Sequence, residues 1–357
     1  MPSVSKDIVA ALVALGLTED EAQTAVAEDR VALALVDKIL SEKRDIPAQQ
    51  LADEVGISLE MMRAWEGAIG LPPYEHYRQS DVDDARQMLG LLAQLPVGNI
   101  EDLVRPFRAD GQALQRIAMA HLEMVSRRYI VPMRQAGGDD VAVAIALAEA
   151  TRHLLPIAGP LVGTAYRRIM EHLLSTELVA QAARDSSDQH DLAVGFVDVV
   201  GYTSLSARID PDGLDDVITA FEARCFDAAR SHDGVQLVKF LGDAAMFICV
   251  DPVKLAEMLL DLVEFADHDS PLAGSPMKAG LAYGQVLPRQ GDFFGPPVNL
   301  AARLTDRARA GTVLADPELV DPLGEHFYLK RLPSIHLRGL GHQRPMAVRR
   351  WDSEADD

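Results

Sequence analysis

The hydrophobic pattern changes once along the chain, near residue 185, and this change constrains the fold more than any other feature of the sequence. Before it, apolar residues recur at three- and four-residue spacing, which predicts one helix after another. After it, short β-rich runs alternate with helical patterns, which is typical of an α/β or α+β domain. At about 150 residues per domain, 357 residues fit two domains. We therefore expect an all-α domain over 1–184 and a mixed domain over 185–357.

Individual elements can be located in the second half. The predicted strands cover 193–197, 235–240, 277–286 and 311–315. The predicted helices that separate these strands cover 212–231, 252–267 and 297–309. Since neighbouring strand ends meet at one edge of a sheet, polar residues that follow these strands are candidates for a shared site.

The charge balance excludes some classes of partner. The chain has 34 Lys and Arg against 54 Asp and Glu, a formal net charge of −20, without a run of basic residues. Such a surface repels phosphate backbones and anionic lipids, so we expect neither DNA nor membrane binding. The longest uncharged apolar stretch near the middle, 154–166, is too short to span a bilayer. We expect a cytoplasmic protein in which Cys225 and Cys249 are free, buried thiols.

A first chemical motif ends the first predicted strand. An apolar run delivers Asp198 at the strand end, and the turn that follows opens a helix at Gly201, Tyr202 and Thr203. This arrangement places a carboxylate beside the backbone N–H groups of a helix start, where a hard cation and a phosphate can bind together. The alternative is that Asp198 only caps the helix.

A second motif reads as strand, tight turn, strand. Asp243 lies in a Leu-Gly-Asp turn, and Lys239 precedes it by four residues. A Gly-Asp hairpin turn is common, so Asp243 can be a turn residue without further function. Two carboxylates from neighbouring strand ends can instead converge on a pair of divalent ions, which roughly 3.5–4 Å apart suit an in-line phosphoryl displacement.

A third motif precedes and opens the last predicted helix. Pro297 suits its first turn, and Asn299 and Arg303 then lie four residues apart on one face. An amide and a guanidinium that point the same way can hold a ribose and a developing phosphate charge. The alternative is a capping Asn and a surface Arg paired to an acid.

The order and spacing of these three motifs resemble the catalytic domain of the class III nucleotidyl cyclases, over residues 190–351. The resemblance implies an α+β fold with a ferredoxin-like βαββαβ core. It also implies that Asp198 and Asp243 hold two Mg²⁺ or Mn²⁺ ions per active site, and that the main-chain carbonyl of Val199 completes one metal site.

The same resemblance assigns the substrate contacts. Lys239 and Asp292 correspond to the pair that reads adenine, Asn299 to the residue that orients the ribose, and Arg303 to the residue that stabilises the transition state. Lys only donates and ionised Asp only accepts, which complements the pairing edge of adenine and mismatches that of guanine. We therefore expect an adenylate cyclase that converts ATP to 3′,5′-cyclic AMP and pyrophosphate, rather than a guanylate cyclase.

The remaining phosphates need a further basic group. Arg338 lies where the family usually has a Lys, so the chain departs from the pattern there, although Arg binds phosphate bidentately. Arg289 is a second candidate. In this family the metal ligands come from one catalytic domain and the purine, ribose and transition-state residues from another. The resemblance therefore implies a head-to-tail homodimer with two equivalent composite sites.

In the helical half, residues 46–72 are similar to a helix-turn-helix of the MerR type. Its second helix carries Glu60 and Glu66 against Arg63. We therefore expect this chain to reuse the helical fold for a structural role and not to bind DNA with it. Three apolar side chains are assigned to its core: Met61, Met62 and Trp65.

The order of a helical half ahead of this catalytic domain resembles the soluble, pH-responsive adenylate cyclases of mycobacteria and other actinobacteria. It implies that the N-terminal domain dimerises and regulates the catalytic pair in response to pH or a lipid. The apolar segments 141–150 and 154–165 are long enough to line a dimer core or a pocket for a fatty acid or another small ligand, with plain helix packing as the simpler alternative. The candidate pH sensors are His153, His172 and His190, because unperturbed histidine titrates near ~6.5.

A competing interpretation is a ligand-sensing transcriptional regulator whose cyclase-like half only dimerises. The acidic second helix of the helix-turn-helix-like segment argues against it. So does the complete set of six side chains that match the cyclase motifs: Asp198, Lys239, Asp243, Asp292, Asn299 and Arg303. Production of cyclic AMP from ATP and Mn²⁺ discriminates between the two.

Overall fold

The computed structural model describes residues 2–28, 30–31, 34–35, 38, 44–92, 100–176, 190–265, 272 and 275–351. The chain divides into two compact units, Met1–Arg167 and Arg168–Asp357. The domain boundary predicted between residues 184 and 185 lies outside the described residues and stays a prediction.

The N-terminal unit is built mainly from helices, as its periodicity predicts. Those with described bounds are α1 (Pro2–Ala14), α2 (Glu19–Ala27), α3 (Ala48–Val55), α4 (Leu59–Ile69), α5 (Gln79–Leu92), α6 (Ile100–Val125), α7 (Val131–Gln135) and α8 (Asp140–Leu174), with a π-helical turn at Ser126–Ile130. A capping box starts α2, in which the Glu21 N–H donates to the Thr18 hydroxyl and the Thr18 N–H donates to the Glu21 carboxylate.

The segment predicted as a helix-turn-helix contains two helices closed by a short ribbon. α3 and α4 are joined at Gly56, whose φ of 78° lies in the left-handed region that favours glycine. Strands β1 (Ile46–Pro47) and β2 (His76–Tyr77) pair antiparallel beside them. The ribbon departs from the all-α prediction, because a two-residue strand has no period-two pattern to recognise. The likeness to the MerR type stays a prediction.

Helix α8 contains Pro156 and Pro160. Among the described residues, no single helix combines the length and apolar character of a membrane span; one bent pair, Val141–Leu154 with Pro156–Leu174, meets both criteria together, with a 43° bend at the break.

The C-terminal unit is an α+β domain centred on one sheet. Its strands are β3 (His190–Val199), β4 (Gln236–Leu241), β5 (Ala244–Cys249), β6 (Met277–Arg289), β8 (Val313–Ala315), β9 (Tyr328–Arg331) and β12 (Met346–Arg349), in the spatial order β4-β5-β3-β6-β8-β12-β9. The β6–β8 pair is parallel and the other neighbours are antiparallel. Two further pairs are β6 with β7 (Asp292–Phe294) and β10 (Ile335–Leu337) with β11 (Gly341–Gln343).

The helices of this unit are α9 (Tyr202–Ser206), α10 (Pro211–Ser231), α11 (Pro252–Val263), α12 (Pro296–Arg307) and α13 (Val320–Gly324). The order β3-α10-β4-β5-α11-β6, with β3 and β6 adjacent at the centre, is the ferredoxin-like βαββαβ arrangement that the resemblance implies.

Alternation along β3 divides the core between two layers. Ala193 and Val197 belong to the cluster that includes α10 and α11, whereas Val194 and Phe196 belong to the cluster that includes α12. The helices therefore cover both faces of the sheet. Cys225 is free and buried, as predicted, and burial raises the pKa of its thiol to about 12, so the thiol stays protonated.

Candidate active site

The carboxylates of Asp198 and Asp243 lie together where β3 ends beside the β4–β5 hairpin. Asp198 is the register partner of Ala244, which directly follows Asp243. The Val199 N–H donates to the main-chain oxygen of Asp243 at 3.1 Å. Burial raises the pKa of Asp198, and the neighbouring Asp243 charge acts in the same direction. The structure therefore brings together the two acids that the sequence places at strand ends.

A lysine that the sequence reasoning missed lies beside Asp198, on the neighbouring strand β6. Lys278 on β6 is the register partner of Asp198, and its Nζ lies 3.1 Å from Asp198 Oδ2. Its positive charge opposes the effect of burial on the Asp198 pKa. The signal for it is the one charged residue in the strand predicted over 277–286, but the cross-strand partner follows only from the register of β3 against β6.

These residues fit a hard divalent cation. In the described part of the chain, no group of three or more His, Cys, Asp and Glu side chains is placed to hold a metal ion. The candidate donors are the two carboxylates and the carbonyl of Val199, all oxygens, which are the ligands that Mg²⁺ and Mn²⁺ prefer. The Lys278 ammonium places a positive charge beside Asp198, where a metal ion would also place one. This contact indicates that positive charge stabilises the half-buried carboxylate.

Lys239 and Asp292 form an ion pair that joins two distant parts of the chain. Lys239 is on the edge strand β4, and Asp292 begins β7, which pairs with the far end of β6. The Lys239 Nζ donates to Asp292 Oδ2, and the Phe293 N–H donates to Asp292 Oδ1 at 2.8 Å. Both side chains are largely shielded but remain reachable from solvent. The hairpin formed by β6 and β7, which we call the β6–β7 arm, therefore brings together the donor and the acceptor that the sequence assigns to adenine.

Asn299 and Arg303 are both exposed on α12, one turn apart. Pro296 and Pro297 start this helix, as predicted for Pro297. Arg303 Nη1 lies 3.1 Å from Asp306 Oδ2, on the same helix. This exposed pair contributes little to stability, so the guanidinium can exchange its partner for a phosphate.

The remaining predicted residues lie in turns and at a helix start. Gly201 has a φ of 78° and precedes α9, whose first residues are Tyr202 and Thr203. Arg289 ends β6 and is the register partner of Asp292, whereas Arg338 is exposed in the turn between β10 and β11. Arg289 therefore lies beside the predicted adenine pair. Among the described residues of one chain, no hydrogen bond or ion pair joins Arg338 to the other predicted site residues.

A family model described as the adenylate and guanylate cyclase catalytic domain matches residues 185–348. This range contains every residue of the candidate site described above.

Curated relatives match over longer stretches. An uncharacterized protein of Mycobacterium tuberculosis is 35% identical over 279 residues, which cover 76% of this chain and 71% of the relative. An adenylate cyclase of Streptomyces coelicolor is 31% identical over 302 residues, which cover 83% and 76%. A pH-sensitive adenylate cyclase of Mycobacterium tuberculosis is 27% identical over 292 residues, which cover 78% and 70%. Each match is longer than the C-terminal unit and so includes part of the helical unit.

Proposed function

Because the chain belongs to the adenylate and guanylate cyclase family, we propose that it is an adenylate cyclase that converts ATP to 3′,5′-cyclic AMP and pyrophosphate. The observation that carries the choice of ATP is the Lys239–Asp292 ion pair. A donor-only cation beside an acceptor-only anion complements adenine, and guanine leaves both largely shielded groups mispaired. The names of the Streptomyces and mycobacterial relatives favour the same substrate.

The acidic pair and the Val199 carbonyl hold two Mg²⁺ or Mn²⁺ ions in this proposal. Bound there, divalent ions supply Lewis acidity that lowers the pKa of the 3′-hydroxyl and neutralises oxygens of the α-phosphate. Asp198 and Asp243 contribute two negative charges within one half-buried site, and Lys278 offsets part of that charge from the side of β6.

The helix α12 supplies the groups that face the sugar and the reacting phosphorus. Asn299 orients the ribose through its amide, and Arg303 meets the negative charge that develops as the 3′-oxygen attacks and pyrophosphate leaves. Loss of one such positioned donor costs about 3–4 kcal/mol in the barrier.

The outer phosphates are bound by basic and backbone groups. Arg289 and Arg338 are the candidate partners of the β- and γ-phosphates, since a guanidinium binds phosphate through two parallel hydrogen bonds. The backbone N–H groups of Gly201, Tyr202 and Thr203 contribute further donors.

The complete site forms between two copies of the chain. Exposed apolar side chains surround the substrate-reading groups: Leu241 at the end of β4 and Phe294 on the β6–β7 arm are each 50% exposed, and Leu287 on the arm is 41% exposed. Apolar side chains clustered beside polar ligands favour an interface, because burial against a partner removes them from water. In the proposed head-to-tail homodimer, one subunit contributes the metal ligands and the other contributes Lys239, Asp292, Asn299 and Arg303.

The helical unit regulates this catalytic pair in our proposal, with pH or a lipid as the stimulus. The alternative of a transcriptional regulator has less support, because α4 carries Glu60 and a buried Glu66 that is already paired with Arg63. Two of the three relatives described above, whose matches extend beyond the catalytic unit, are named adenylate cyclases.

The test is turnover by the purified full chain. Incubation with ATP and Mn²⁺, followed by chromatography, should yield cyclic AMP and pyrophosphate in equal amounts. Asp243→Ala is the matched control, because it removes a proposed metal ligand from the β4–β5 turn, and it should give no product. A folded chain that forms no cyclic AMP with Mg²⁺ or Mn²⁺ contradicts the proposal.

A further inference from the structure

The N-terminal unit contains a cavity of about 400 Å³ that the proposed reaction does not use. It lies among α3, α4, α5 and the α6 residue Phe107. On α5 its wall is one helical face, formed at i, i+3, i+4 and i+7 by Asp81, Asp84, Ala85 and Met88. The volume falls within the about 300–1,000 Å³ that small-molecule sites occupy.

The wall is apolar, aromatic and rich in methionine. Met61 and Trp65, which the sequence assigns to the core, line this cavity together with the buried Met62. The rings of Trp65 and Phe107 meet edge to face, with centroids 6.3 Å apart. Methionine side chains adapt to ligands of different shape, and aromatic faces attract positive charge. The lining therefore suits an apolar molecule of irregular shape.

Acidic groups outnumber basic groups around the cavity. Three carboxylates line it, from Glu66, Asp81 and Asp84, against the guanidinium of Arg44 and the imidazole of His76. Glu66 is 3% exposed, and its charge is balanced by Arg63 at 2.9 Å. The Arg44 guanidinium already lies over the Tyr74 ring, 4.6 Å from its centroid.

Once Glu66 is balanced by Arg63, the net charge of the cavity lining depends on the two aspartates, Asp81 and Asp84. Asp81 accepts from the Arg78 backbone N–H at 2.8 Å, a bond that leaves its negative charge in place. Asp84 is exposed on the cavity side of the helix. An organic anion would meet this excess of carboxylates, whereas a cation would be attracted by it.

We propose that this cavity binds an apolar organic cation, whose body packs against Met61, Trp65 and Met88 and whose charge faces Asp81 and Asp84. This inference depends on the N-terminal unit alone and does not rest on the proposed cyclase activity.

The test uses two probes of matched shape and opposite charge, tetraphenylphosphonium and tetraphenylborate. The chain has two tryptophans, and Trp351 is largely exposed, so a full chain with Trp351→Phe reports Trp65 fluorescence alone. Titration should give saturable quenching by the phosphonium, with one site per chain by calorimetry. We expect the phosphonium to bind at least about tenfold more tightly than the borate.

Three variants in the same background locate the site. Asp84→Asn should weaken phosphonium binding about two- to fivefold, as expected for one solvent-reached charge. Asp83→Asn removes the same charge one residue away, outside the lining, and should leave the affinity unchanged. Ala85→Phe should fill the cavity and reduce affinity by more than about tenfold.

Equal or tighter binding of the borate would overturn the proposal, and so would equal effects of Asp84→Asn and Asp83→Asn, which would indicate general attraction to an acidic surface. If Ala85→Phe prevents folding, the two aspartate variants and the two probes still decide the outcome.

Discussion

At the scale of single residues, two ion pairs organise the candidate site. Lys239 with Asp292 and Lys278 with Asp198 each place a lysine against a half-buried aspartate. Loss of one partner would leave a partly desolvated charge without compensation, which costs more than the pair contributes in water. The first pair is proposed to select the base, and the second balances the charge of the acid that is proposed to bind metal.

Exchange of the purine-reading pair should change the preferred nucleotide. Lys239→Glu combined with Asp292→Cys should lower kcat/KM for ATP on the order of 100-fold, since two mispaired hydrogen bonds each cost roughly 1–3 kcal/mol. The ratio of GTP to ATP turnover, measured by chromatography of both cyclic products, should rise. Lys330→Glu, on the exposed part of β9, is the charge-matched control and should leave the ratio unchanged. An unaltered ratio in the double variant would assign purine selection to other residues.

Asp316 gives a residue-scale prediction about stability. It is buried after β8, where burial raises its pKa above the ordinary 3.8 and the Glu318 N–H donates to its carboxylate. Because the pKa of Asp316 is higher in the folded state than in the unfolded state, the protonated carboxyl stabilises the fold. This contribution is fully present at a pH below the unfolded-state pKa and is lost as the pH rises through the folded-state pKa.

Asp316→Asn keeps the acceptor and removes the charge. The variant should therefore have a higher Tm than the wild type at pH 7, and the difference should shrink as the pH falls towards the ordinary carboxyl pKa. Thermal unfolding followed by circular dichroism across pH measures this. Glu325→Gln, at an exposed position directly after α13, is the control. A lower Tm of Asp316→Asn at neutral pH would mean that the charge stabilises the fold.

At the scale of elements, the position of α12 on the sheet determines where Asn299 and Arg303 lie. A Cβ at Gly280 of β6 would come within 2.3 Å of the Ala301 main-chain oxygen and 2.5 Å of the Thr305 nitrogen. Thr305 also donates to the main-chain oxygen of Phe196 on β3 at 3.3 Å. The helix therefore sits on the sheet at a distance that only glycine at this position allows.

Gly280→Ala should push α12 away from β6. We expect a loss of about 1–3 kcal/mol in the free energy of unfolding, as for other overpacked cores, and a lower kcat with ATP. Gly324→Ala is the matched control, since its Cβ would make an ordinary 3.8 Å contact. Denaturant unfolding of both variants provides the comparison, and equal stability of Gly280→Ala and wild type would show that the helix does not need this approach.

Periodicity predicts the regular elements well, because local pattern determines them. The helices predicted over 212–231 and 297–309 are Pro211–Ser231 and Pro296–Arg307. The strand predicted over 277–286 instead continues to Arg289 and pairs with β7. These additional residues belong to the β6–β7 arm, which is stabilised by its hairpin pairing and by the Lys239–Asp292 ion pair. Because they form no buried hydrophobic pattern, the sequence does not predict them as strand. The pairing of Lys278 with Asp198 depends on the register of β6 against β3. The cavity of the helical unit depends on packing between separate helices. Neither can be predicted from the local pattern of a single segment.

At the scale of the whole molecule, one chain contains a helical unit followed by the unit that holds the cyclase catalytic domain. The candidate pH sensors lie where helical and catalytic segments follow each other in sequence: His153 and His172 are exposed on α8, and His190 begins β3. Three acidic residues near these histidines in sequence, Glu177, Asp185 and Asp188, lie outside the described residues.

Activity of the full chain should rise as the pH falls from about 8 to 6, whereas residues 185–357 alone should vary less. A switch from mostly inactive to mostly active needs roughly 5 kcal/mol of coupling, so several histidines across a symmetric dimer must act together. The measurement is the pH–activity curve of both proteins at a fixed concentration of free Mn²⁺. Superimposable curves would show that the helical unit does not sense pH.

The composite active site between two chains is tested most directly by complementation. Asp198→Ala and Arg303→Ala should each be inactive, because each damages every site of its own homodimer. After subunit exchange, a heterodimer contains one intact site and one doubly damaged site, so the mixture should recover about a quarter of the wild-type activity. Asp198→Ala mixed with Asp243→Ala damages the same half of every site and should recover none. Recovery only in the first mixture is the predicted result; equal inactivity of both mixtures, with subunit exchange confirmed, would contradict a site shared between chains.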